Sequence, residues 1–348
     1  VVTMALDGEF DFQARACRHM GSPLYGELGA AVAAALRAGD PPLTAIMADH
    51  ADATHADAIP LRLLGAVHAL VLSGAAPELA PFYGSDRVDP APAWPIFRTT
   101  LIEHADHVRD WLTRPPQTND VGRSVPLLSG LLSAVAWAPL PVRLFELGSS
   151  AGLNLRADHF RWEGDGIAWG PVDSPVRITD AWRKPLPAWL IGAAAKFPQV
   201  EVVERHGCDP DPLDPLDPAA ALALRAYVWP EHHDRRARLD GALDLAPQVP
   251  AEITRTGAGE FLSGLRLVPG TLTVVWHSVM RQYVPEPEWA VVVAELDRLA
   301  AASSADAAFA HIAFEPAGDY RFVLTVRHGD GPPTELARAL PHGVPTFV

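Results

Sequence analysis

The stretch VRLFELGSSAGLNL, Val142 to Leu155, constrains the fold of this chain more than any other. Val142, Leu144, Phe145 and Leu147 make the short apolar run of a central parallel strand. Pro139 and Pro141 mark its start, because proline cannot serve a central ladder. Gly148 and Gly152 bracket a turn of small residues, where a ligand or another backbone can approach closely. Asn154 and Leu155 fall in the helix expected to follow. A strand, turn and helix in this order aim helix N-terminal amides at whatever lies over the strand's carboxyl end.

Spacing separates four loops that share this outline. A Walker phosphate loop ends in Gly-Lys-Ser/Thr, and no lysine is present. A dinucleotide fingerprint places glycines at 148, 150 and 153, where Ser150 and Leu153 fill two of the positions. A nucleophile elbow, G-x-S-x-G, fits literally as Gly148-Ser149-Ser150-Ala151-Gly152. The acidic-glycine loop E-x-G-x-G-x-G of class I S-adenosylmethionine methyltransferases is matched by Glu146, Gly148 and Gly152, with Ser150 replacing the middle glycine. A glycine-tolerant turn without a ligand is the plainer alternative.

Residues 1–137 read as helices. In SPLYGELGAAVAAALRAG, Ser22 is a predicted N-cap with Pro23 at the first helical position, and Leu24, Leu28, Val32 and Leu36 form one apolar stripe. IPLRLLGAVHALVLSG, PAWPIFRTTLIEHADHVRDWL and a helix from about Ser124 to Trp137 repeat the pattern. The polar loop QTNDVGRS, Gln117 to Ser124, separates the last two.

From Val142 strands alternate with helices, which predicts a mostly parallel sheet. Residues 161–182 predict an inserted hairpin with glycine turns. Further strands are expected at Val200–Val203, Ala251–Thr254, Thr271–His277, Ala308–Phe314, Arg321–Arg327 and Val344–Val348. The close spacing of the last strands predicts a C-terminal antiparallel hairpin. The expected fold is therefore α/β, with a helical region at 1–137 and a Rossmann-like domain at 138–348.

The formal charge of −14 disfavours a phosphate backbone as partner, since Arg235, Arg236 and Arg238 sit among Glu231, Asp234 and Asp240. No uninterrupted apolar run is of membrane-spanning length, and VVTMALDGEF lacks the pattern of a secretory signal. Cys17 and Cys208 are too few for a disulfide framework, so a cytoplasmic setting is the simplest expectation. The histidines give no firm metal spacing.

ELGSSAGLNL, QTNDVGRS, RAYVWPEHHDRRARLDGAL and WHSVMRQY together resemble an uncharacterised bacterial family, a domain of unknown function grouped with Rossmann-like methyltransferases. The resemblance covers nearly the whole chain. It implies the methyltransferase fold and S-adenosylmethionine as cofactor, with S-adenosylhomocysteine as product, and no particular acceptor. It places Glu146 at the glycine loop and the cofactor's amino-acid end, with Gly148, Ser149, Ser150, Gly152 and Asn154 beside it. Asp209, after the second strand, would take the ribose hydroxyls. Each has a plainer role as a helix cap or turn residue.

His277 and Ser278 end the fourth strand, where open α/β sheets bind ligands. His277 could serve as a base, with Tyr283 the other catalytic candidate. Gln117, Asn119, Arg123, Ser278, Gln282 and Glu315 are candidates for contacting the substrate. The expected activity is methyl transfer to a small molecule, with the helical region as a lid. A serine hydrolase using Ser150 with His328 or His342 is the alternative. It is disfavoured because a hydrolase sheet lays down several strands before its elbow; a strand before residue 100 would revive it. A third alternative is a non-catalytic protein that binds a nucleoside-like ligand or acts as a scaffold.

Overall fold

The computed structural model describes residues 5–84, 88–164, 166–318 and 321–347, and among these no strand precedes Val142. The chain divides into two units. One takes the N-terminal chain to Thr118 together with Pro218–Arg236, and the other takes Asn119–Asp217 together with the chain from Ala237 onward. The expected boundary at 137 therefore leaves the helix Ser124–Trp137 with the sheet, and residues 218–236 rejoin the helices.

The first unit is built from helices Leu6–His19, Pro23–Arg37, Pro41–Ile46, Ile59–Leu72, Ala80–Tyr83, Ala93–Glu103, Ala105–Leu112 and Pro218–Ala226. Phe10, Leu28, Val32, Leu63, Phe97 and Leu112 meet in its core, so the stripe Leu24, Leu28 and Val32 faces inward as its spacing predicts. The stretch His55–Leu72 has the length and apolar composition of a membrane span, yet Leu63, Leu64, Ala66 and Val67 on it are core residues. The expected single helix ending in RDWL is broken at His104. Ser22 precedes its helix without capping it. Its hydroxyl donates to Glu231 Oε2 at 2.6 Å, and Glu231 Oε1 accepts the Leu24 amide at 2.8 Å, so the glutamate supplies the cap.

The second unit carries β1 (Val142–Leu147), β2 (Arg161–Gly164), β3 (Ile167–Trp169), β4 (Arg177–Ile178), β5 (Val202–Asp209), β6 (Glu252–Arg255), β7 (Thr271–Ser278), β8 (Ala307–Pro316), β9 (Phe322–His328), β10 (Thr334–Ala339) and β11 (Thr346–Phe347). The main sheet has eight strands in the order β11-β10-β9-β8-β7-β1-β5-β6. The run from β6 to β8 is parallel, and β9, β10 and β11 close the other edge antiparallel. The predicted insertion is a three-stranded sheet, β3-β2-β4.

Three strands differ from the sequence reading, two of them for a physical cause that the structure shows. β5 runs to Asp209 instead of stopping at Val203, because its polar side chains find partners beside the sheet. Arg205 makes a two-pronged ion pair with Asp158 at 2.6 and 2.7 Å, and His206 Nε2 lies 2.8 Å from Thr254 Oγ1. β10 has the helix-forming composition TELARA, and its pairing with β9 and β11 overrides that preference. The expected last strand narrows to Thr346–Phe347, with Val348 outside the described residues. Gly130 lets the helix Ser124–Trp137 lie close on the sheet, since a Cβ there would stand 2.6 Å from Ile312 Cγ2.

Candidate functional site

Strand order reverses between β1 and β7: successive parallel strands are added on one side as β5 and β6, then on the other as β7 and β8. Open α/β sheets present their ligand crevice at such a switch point, outside the strands' carboxyl ends. Two loops meet there, Gly148–Gly152 after β1 and Val279–Met280 after β7. They touch through Gly148, where an added Cβ would lie 3.0 Å from Met280 Cβ.

Both loops hold unusual backbone. Gly148, Ser150 and Gly152 have φ of 64°, 52° and 64°, a left-handed alternation through the turn. Glycine adopts this freely, whereas an L-residue costs about 1–2 kcal/mol. Ser150 bears that cost where the methyltransferase loop has its middle glycine. Val279, β-branched, stands at φ 54°. Glu315 holds this second loop: its Oε1 accepts from the Met280 amide at 3.1 Å and the Arg281 amide at 3.4 Å, and lies 2.7 Å from His277 Nδ1.

The first loop is fixed from β5. Asp209 Oδ2 accepts the Ser150 amide at 2.9 Å, and Oδ1 accepts the Asp211 amide at 2.9 Å. Ser149 N donates to the Cys208 carbonyl at 3.0 Å. Gly207 stands opposite Glu146 in the register and makes room for Ser149, whose Oγ would be 2.6 Å from a Cβ there. The expected α-helix after the turn is instead a 3-10 segment, Leu153–His159. The Leu153 amide donates to Asn119 Oδ1 at 2.8 Å, and Asn154 Nδ2 donates to the Asp120 carbonyl at 3.3 Å. The helix-terminus argument for anion binding therefore does not apply to this turn.

Glu146 is 2% exposed, and its Oε2 has no hydrogen-bond partner. Burial pushes its carboxyl up to about 8; the Trp276 indole on the neighbouring strand and the Arg156 charge pull the other way, and Asp209 adds to the rise. Asn154 Oδ1 is a second buried acceptor left unpaired. His277 Nδ1 faces the Glu315 carboxylate, and its Nε2 is buried without a partner. His277 is 1% exposed, with Trp289 at its edge and the His311 ring stacked 5.2 Å away. Burial, then the neighbouring His277 and Arg327, hold His311 well below the usual histidine range.

Register places Glu146 beside Trp276 and Leu147 beside His277, so Glu146 and His277 point to opposite faces of the sheet. Ser278 ends β7, half-buried. Gln282 is exposed and Tyr283 is 75% exposed on the 3-10 turn Arg281–Tyr283, so neither is enclosed. Arg123 Nε donates to the Pro341 carbonyl at 3.3 Å. Gln117 falls in the helical unit. The sequence reading missed Asp120, whose Oδ2 lies 2.6 Å from His342 Nδ1 while Oδ1 accepts the Gly122 amide at 3.1 Å. The N-D pair in QTNDVGRS was the available signal. It gave no role to Trp276, Arg156 or Val279, although Trp276 and Val279 lie in the WHSVMRQY stretch. Among the described residues no cluster of histidine, cysteine and carboxylate has metal-holding geometry.

Sheet order and the paired loops define an α/β protein with its candidate site at the strand-order switch. The chain belongs to the family described as an uncharacterized protein conserved in bacteria (DUF2332), whose model matches residues 8–347. No curated protein and no solved structure matches it.

Proposed function

We propose that this chain is an S-adenosylmethionine-dependent methyltransferase acting on a small molecule, with its cofactor at the Gly148–Gly152 turn. One observation carries the reading: left-handed backbone at Ser150 and Val279, in the two loops that flank the strand-order reversal. Strain of this kind gathers at ligand sites, where surrounding contacts hold it in place. The donor set fits the cofactor's amino-acid end. Glu146 Oε2 and Asn154 Oδ1 are buried acceptors without partners, suited to a cationic amino group. Asp209 spends one acceptor site per oxygen on backbone amides and keeps the rest for a diol.

The bound cofactor would supply an electrophilic methyl group. The chain's own work is then alignment and exclusion of water. Glu315 fixes His277 and the Val279–Met280 loop together, which sets the wall against Gly148. The burial of His277 suits positioning of the loop better than direct contact with a methyl acceptor.

A second reading draws on a separate observation. The Asp120–His342 pair and the strained Ser150 are two elements of a serine hydrolase. The position of β1 as the first described strand weighs against it, since the elbow needs strands ahead of it. Calorimetric titration with S-adenosylhomocysteine tests the leading reading. Binding is expected, and Gly148→Val should abolish it by forcing a side chain into left-handed backbone against Met280. Absence of heat from folded wild-type protein would overturn the proposal.

A further inference from the structure

One carboxylate near the strand-order switch has no role in the site as described so far. Glu288 lies in the first turn of the helix Glu286–Ala301, which follows β7. Two acids share that turn. Glu286 pairs with Arg281, whereas the Glu288 carboxylate forms no hydrogen bond or ion pair among the described residues. Its Oε1 stands against Gly257, just beyond β6, where an added Cβ would lie 2.5 Å from it. We propose that Glu288 is a specificity-determining residue of the cofactor site, accepting a hydrogen bond from the exocyclic amino group of an aminopurine. The inference rests on the methyltransferase reading.

Strand order sets where the base would fall. In that reading the cofactor's amino-acid end meets Glu146 on β1 and Asn154 after it, and the ribose meets Asp209 at the end of β5. β6 is the next strand outward, so a base joined to that ribose extends towards the Thr256–Gly257 turn. Glu288 also joins the acids around Cys208, the residue beside Asp209. Burial pushes that thiol up to about 12; a Gly148 backbone hydrogen bond opposes the rise, and Asp209, Glu146 and Glu288 add to it.

The polar neighbours are occupied elsewhere. Thr256 Oγ1 donates to Glu260 Oε2 at 2.8 Å, and Arg255 is drawn to Asp211 and to the Pro210 carbonyl. The helix dipole rewards an acid anywhere in the first turn and does not account for the placement of Glu288 against Gly257. A carboxylate is an acceptor only. It suits the N–H of an aminopurine and repels an oxopurine, which presents a carbonyl lone pair at the same position.

The test is calorimetric titration of the full chain with S-adenosylhomocysteine and S-inosylhomocysteine, repeated on Glu288→Gln. The wild type should prefer the amino form by about 10-fold or more, the scale of one hydrogen bond to a charged group. Glutamine offers an oxygen to the amino form and an N–H to the oxo form, so in Glu288→Gln the preference should fall to within about 3-fold at an unchanged melting temperature. If Glu288→Gln fails to fold, Glu288→Asp, which draws the carboxylate back by one carbon, takes its place with the same expected loss of preference. Equal affinities in the wild type, or a preference that survives the substitution, would overturn the assignment. Adenosine and inosine separate this failure from failure of the methyltransferase reading. If neither homocysteine derivative binds, while adenosine is preferred over inosine by the wild type and not by Glu288→Gln, Glu288 reads the base and the methyl-donor reading falls. If no nucleoside binds, both fall.

Discussion

Replacing Glu146 by glutamine should remove a pH dependence that the wild type carries. The carboxyl titrates near 4.5 in the unfolded chain and is pushed by burial to about 8 in the folded one. Between these values the folded state holds a proton that the unfolded state has lost. The stabilisation this gives is full below 4.5 and is lost as pH rises towards 8. The slope is about 1.4 kcal/mol per pH unit, and over the whole window the loss amounts to roughly 5 kcal/mol as an upper bound. Glutamine keeps the shape and never ionises. Urea unfolding of both proteins from pH 5 to 8 should therefore diverge, with the variant gaining at each step. For a urea dependence of about 3 kcal/mol per molar, the midpoints should separate by about 0.5 M per pH unit. Parallel curves across this range would refute the reasoning, because they would mean that Glu146 is ionised in both states. A linked observation bears on function: a cationic ligand group meeting Glu146 should drive off its proton. The heat of S-adenosylhomocysteine binding should then change with the ionisation enthalpy of the buffer.

Three other substitutions probe the loops. Val279→Gly should change stability by no more than about 1 kcal/mol, since lost packing of a half-buried valine is offset by relief of left-handed backbone, whereas Val275→Gly in the buried strand should cost about 3 kcal/mol or more; melting curves of the pair decide. Ser150→Ala should lower S-adenosylhomocysteine affinity by about 0.5–1.5 kcal/mol, and loss of an ester-cleaving activity in this variant and in Asp120→Asn would instead favour the hydrolase. His277→Ala should keep cofactor binding while cutting methyl transfer by about 100-fold or more if the ring serves as base or holds the loop; full transfer would assign the chemistry to alignment alone.

The central turn was legible because its pattern is local. Strand, glycine positions and proline boundary all lie between Pro139 and Leu155, and the loop sits where they indicate. Strand β7 and its end at His277–Ser278 were legible for the same reason, as an unbroken apolar run. Three features depend on distant partners and were not. The polar second half of β5 is explained only by Asp158 and Thr254, and β10 only by its neighbours in the sheet. The role of Glu315 became visible when β8 placed it against His277 and the Met280 amide, 35 and more residues back in the chain. Strain at Val279 has no sequence signature at all, since valine is the residue least expected there.

The helical unit is assembled from two separated pieces of chain, and this orders its birth. Glu231 caps the helix that starts at Pro23, the Ala226 carbonyl accepts a hydrogen bond from buried His68, and the Tyr227 ring lies over Gly65. All three come from residues 218–236, made after most of the switch-point turn's partners have left the ribosome. The N-terminal helices therefore emerge early and wait, with His68 and the Pro23 helix start unsatisfied, until Arg236 is translated. A fragment ending at Thr118 should be a poor folder that binds chaperones, and a peptide spanning 218–236 should rescue it in trans.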